Sequence, residues 1–202
     1  MENMKRSDEF RMPRWDDLPP VPLYLDQVLA LLDEWLGPHI SGHKRKVLTR
    51  TMINNYVKLK FIPAPVNKKY DQVTVASLFV IAVLKTVFSI EEIACLIQLA
   101  LNHSERQVAY DGFCDYLEKA VKHAFEGTTM ERELNPEDPR KILWNACNAV
   151  ACQMYVRRIY LEEVLAQKAE QEGEIGQETG GRKDQCHAET GCHEDSFSGV
   201  HL

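Results

Sequence analysis

Leu25, Val28, Leu29, Leu32 and Leu36 recur at i, i+3, i+4 spacing, which puts one apolar stripe on a helix. The pattern predicts a first helix over 23–36, stopped by Gly37-Pro38, and then a polar loop from His39 to Lys46. A second helix is expected from Thr49 to about Lys60, with Thr49 as its N-cap. Met52, Ile53, Tyr56 and Val57 form its apolar face, while Arg50, Asn54 and Lys58 line the opposite side at i, i+4, i+8. Pro63 and Pro65 forbid continuation, and Asn67 to Tyr70 reads as a turn or short hairpin.

Val73 to Val87 predicts a strongly apolar third helix. Ser89 and Glu92 have the spacing of a capping box and launch a fourth helix to about Leu101. A fifth is expected over 105–125. After a polar connection from Gly127 to Pro139, a sixth begins near Pro139 and runs to about Lys168. Its apolar seam has roughly heptad spacing and reads either as core alone or as core plus a dimer seam, so a homodimer through 139–168 stays open. Residues 1–20 read as a mobile arm that becomes ordered near Trp15, and residues 170–202 as a disordered acidic tail. The fold class is all-α.

Charge changes this picture. From Trp35 to Tyr70 there are eight Lys/Arg and no Asp or Glu, in a chain whose net charge is −6. A basic island in an acidic protein points to a polyanionic partner. The apolar run from Val73 to Leu84 is too short to span a bilayer. With no apolar segment near the N-terminus to act as a secretion signal, a cytoplasmic location is expected. The six cysteines are scattered and read as reduced thiols. Cys186-His187 and Cys192-His193 could ligate zinc, but their spacing is not that of a standard finger, so no metal and no cofactor is assigned. No phosphate-binding loop, dinucleotide fingerprint, H-E-x-x-H or G-x-S-x-G occurs, and the chain is not expected to be an enzyme.

The order of elements is helix, loop, basic helix, proline-marked exit, Lys-Lys-Tyr turn and two further helices. In a helix-turn-helix the second helix enters the major groove while neighbouring segments touch phosphates. Arg50, Asn54 and Asn55 have side chains able to pair with base edges. Lys44, Arg45, Lys58, Lys60, Lys68 and Lys69 supply sequence-independent attraction to phosphate. Tyr56 and Tyr70 have hydroxyls able to bond phosphate and rings able to pack inward. The competing reading is a helical protein-interaction module whose basic surface docks an acidic protein.

The run Thr49 to Tyr56, then Phe61-Ile62-Pro63-Ala64-Pro65, Lys69-Tyr70, Val75 to Leu84-Lys85 and Phe88-Ser89-Ile90-Glu91-Glu92-Ile93 is similar to the MerR-type winged helix-turn-helix. More closely, Met12-Pro13-x-Trp15, Leu23-Tyr24-x-Asp26-Gln27-Val28, Met52 to Lys58 and Lys68-Lys69-Tyr70 resemble the uncharacterised bacterial YkrK-like family, a domain of unknown function. The resemblance implies a DNA-binding transcriptional regulator. By position, Arg50, Thr51 and Asn54 fall where bases are read, and Tyr56, Lys68, Lys69 and Tyr70 where phosphate is touched. The wing is short and lacks the usual glycine. The implied organisation is an arm (1–20), a DNA-binding region (21–101), a dimerisation or sensing region (102–169) and a tail (170–202).

Overall fold

The computed structural model describes residues 10–41, 46–128, 138 and 140–180. The chain divides into two compact units, residues 1–159 and 160–202. Among the described residues there are six α-helices: α1 (Leu25–Leu36), α2 (Arg50–Lys58), α3 (Gln72–Leu84), α4 (Ile90–His103), α5 (Arg106–Glu126) and α6 (Arg140–Gly180). Two short strands, β1 (Leu23–Tyr24) and β2 (Lys69–Tyr70), pair antiparallel with Leu23 opposite Tyr70 and Tyr24 opposite Lys69. The protein is mostly helical, as the periodicity predicts, with this one small sheet added.

α3 is the centre of the first unit. Its apolar residues run all round the helix, and Val75, Leu78, Phe79, Ile81, Ala82, Val83 and Leu84 are buried. Asp71 starts it, accepting the Thr74 N–H at 2.8 Å and the hydroxyl of buried Thr74 at 2.5 Å. The Ser89–Glu92 capping box closes in both directions: Glu92 N–H donates to Ser89 Oγ at 3.3 Å, and Ser89 N–H to Glu92 Oε2 at 2.8 Å. α5 packs against α3 within residues 1–159.

Three expectations are corrected. Gly37-Pro38 does not end the first helical stretch at once. Gly37 keeps right-handed helical angles, and a π-helical turn carries the chain to Ser41. The N-terminal arm is packed into the core well before Trp15, since Phe10 and Met12 are buried as Leu18 is. Its backbone is held by α5: Met12 N–H donates to Glu118 Oε1 and Trp15 N–H to Asp111 Oδ1, each at 2.8 Å. Arg14 adds ion pairs to Glu118 at 2.7 Å and Asp115 at 2.9 Å. Finally, α6 does not stop near Lys168 but continues to Gly180, so the first part of the segment expected to be disordered is helical. The Cys/His pairs of the tail lie outside the described residues.

Candidate nucleic-acid interface

Thr49 caps α2 as its sequence position predicts, its hydroxyl accepting the Met52 N–H at 3.2 Å. Ile53 and Tyr56 are buried, which turns Arg50, Thr51, Asn54, Asn55 and Lys58 outward. The helix ends in a pair of bonds typical of a left-handed C-terminal cap. Phe61 N–H donates to Tyr56 O at 2.9 Å and Lys60 N–H to Val57 O at 3.0 Å. That motif needs a positive φ at Lys60, which has φ 62°.

The Lys-Lys-Tyr turn is a two-residue hairpin. Val66 N–H donates to Lys69 O at 3.0 Å, and Lys69 N–H to Val66 O at 2.9 Å. Asn67 and Lys68 between them have φ 50° and 65°. Positive φ at both central residues is what the right-handed twist of a tight hairpin demands. The hairpin is anchored by β2 pairing with β1, and Lys69 Nζ lies 4.8 Å from the centroid of the Tyr24 ring. A groove lined by Pro22, Tyr24, Pro63, Pro65, Val66 and Lys69 runs beneath it.

The start of α1 joins the helix to the hairpin. Tyr24 carries Lys69, and Asp26, two residues on, forms an ion pair with Arg50. Two of the expected DNA contacts are thereby engaged within the chain. Lys46 is engaged as well, paired with Asp33 at 2.8 Å. Among the described residues, Lys58, Lys60 and Lys68 are exposed and make no ion pair. Lys44 and Arg45 lie outside the described residues.

Tyr56 and Tyr70 are 7% and 3% exposed, so both belong to the core. Burial raises both hydroxyl pKa values. Lys85 is given no role by the sequence. It is half-buried, its pKa is lowered by desolvation, and its Nζ lies 4.0 Å from Met52 Sδ on α2. Asp26 and Asp33, the acids of the Arg50 and Lys46 ion pairs, have no role predicted from the sequence. Neither pairing is signalled locally, because each partner is more than a dozen residues away in the chain.

Residues 13–116, half of the chain, match the family described as Domain of unknown function (DUF1836). The chain belongs to the DUF1836 family. The matched region begins within the N-terminal strap and ends inside α5, the helix that holds the strap. It therefore takes in α2, the hairpin and the β1–α1 corner that joins them. No curated protein and no solved structure matches the DUF1836 chain. Among the described residues no cluster of His, Cys, Asp or Glu could hold a metal ion, and no helix is long and apolar enough to cross a membrane.

Proposed function

We propose that this protein is a DNA-binding transcriptional regulator of MerR-like type, acting in the cytoplasm, with α2 in the major groove and the hairpin on phosphate. The YkrK-like resemblance belongs to the same reading. The observation that carries it is the placement of Lys58, Lys60 and Lys68. All three are exposed and make no ion pair among the described residues; Lys58 shares the outward side of α2 with Thr51, Asn54 and Asn55, Lys60 follows its C-terminal cap, and Lys68 stands at the hairpin tip. Lys60 and Lys68 hold left-handed backbone positions that glycine would occupy at lower energy. Strain retained with a cation at the tip is a pointer to function.

The reading supposes that Arg50 exchanges Asp26 for a base or phosphate on binding. It also allows two copies to meet two half-sites through the 139–168 helix. The test is selection from random duplexes, followed by anisotropy titration over a salt series. Affinity should fall steeply with salt, the slope of log K against log salt concentration being about −0.9 per phosphate neutralised. Arg50→Ala and Asn54→Ala should each lose ~1–3 kcal/mol of discrimination between sites. Absence of duplex binding at low salt, with an acidic protein captured through the same lysines after nuclease treatment, would instead establish the protein-docking alternative.

A further inference from the structure

α4 is unusual among the helices of the first unit. It has apolar residues at Ile93, Leu96, Ile97, Leu99, Ala100 and Leu101, yet only Ile93 is fully buried. The reason is space on both sides. Between α4, α3 and α5 lies an apolar cavity of about 70 Å³, with Ala76, Val80, Ile97 and Phe113 in its walls. Leu96, Ala100, Ala109 and Leu143 separate it from a second hollow of about 210 Å³. Water gains little in the first cavity, whose surface is overwhelmingly apolar.

One charged residue breaks that lining. Arg106 lines both this cavity and the open hollow beside it, and makes no ion pair among the described residues. It is the first residue of α5. The N-cap, Glu105, makes no side-chain hydrogen bond to the helix end, and no acid follows in the first turn. The amide groups there are free to take a negative charge. The exposed Glu105 side chain at the rim opposes this and must point to solvent.

We propose that the α3–α4–α5 cavity is a binding site for a small amphiphilic carboxylate, its branched or short aliphatic body among Ala76, Val80 and Ile97 and its carboxylate at Arg106. At about 70 Å³ the cavity is about half of the roughly 150 Å³ that accommodates benzene, which limits the body to a few carbons. α4 is the wall best able to give way, because Ile93 is fully buried while Ile90, Leu96 and Ile97 are only partly so. The site shares no residue with the candidate nucleic-acid interface, and its occupancy does not depend on DNA binding.

The experiment is methyl NMR on the full chain titrated with sodium isovalerate, with isoamyl alcohol as the uncharged counterpart. Isovalerate should shift the methyl signals of Val80, Leu96 and Ile97 saturably, and bind more tightly than the alcohol. Ala100→Leu, which fills the cavity wall, should abolish the shifts while keeping cooperative thermal unfolding. Arg106→Gln, a surface change that leaves the fold intact, should weaken isovalerate by about three- to fivefold and leave the alcohol unchanged. Absence of saturable shifts in the wild type would overturn the proposal. So would binding indifferent to Arg106→Gln, or alcohol binding as tight as isovalerate.

Discussion

At the scale of single residues, the informative feature is lysine where the backbone asks for glycine. Lys60 and Lys68 sit at φ 62° and 65°. A left-handed position costs an L-residue roughly 1–2 kcal/mol, so Lys60→Gly and Lys68→Gly should each stabilise the fold by about 1 kcal/mol. Urea midpoints at unchanged slope would measure this. Duplex affinity should move the other way in the same variants, and a parallel rise in both would sink the assigned role. Asp26→Asn releases Arg50 and removes an exposed carboxylate from the interface. It should therefore tighten duplex binding, read by anisotropy at low salt. The charges themselves were legible in the sequence. Which of them are already engaged was not, because Asp26–Arg50 and Asp33–Lys46 are contacts of the folded chain.

At the scale of elements, local grammar was readable wherever the chemistry is local. Thr49 caps α2, and Ser89 with Glu92 caps α4, because the bonds close within three residues. Ser89→Ala should cost about 1 kcal/mol in chemical denaturation. The N-terminal strap was misjudged for the opposite reason. Its polar composition reads as an arm, but its backbone donors are satisfied by Asp111 and Glu118, about a hundred residues away. Leu18, 1% exposed, is its apolar plug, and Leu18→Ala should cost ~2–5 kcal/mol, measured as a lowered urea midpoint. A loss below 0.5 kcal/mol would show that the strap is not part of the cooperative unit. Pairing of β1 with β2 likewise needs a partner some forty-five residues away, and no alternation pattern announces strands two residues long.

At the scale of the molecule, burial sets the alkaline limit of stability. Cys114 and Cys147 are buried, and burial pushes each thiol from an ordinary value of 9.0 up to about 12. Tyr56 and Tyr70 are shifted the same way. The folded state then holds these protons more tightly than the unfolded chain. The resulting stability is complete below about pH 9 and is lost as pH rises toward about 12. Urea midpoints should fall across that window. Cys95 and Cys152, both exposed, should alkylate in the native protein well before Cys114 and Cys147.

The sequence by itself determined where the helices lie, the caps at Thr49 and Ser89–Glu92, the turn over Asn67–Tyr70 and the basic island, because periodicity, capping and charge are properties of neighbours along the chain. Only the tertiary structure decided the rest. It buried Tyr56 and Tyr70, bound Arg50 and Lys46 to acids of α1, laid the N-terminal strap on α5 and left space around α4. Each of these depends on which distant surfaces meet and how completely they exclude water. A pattern of spacings carries no measure of that.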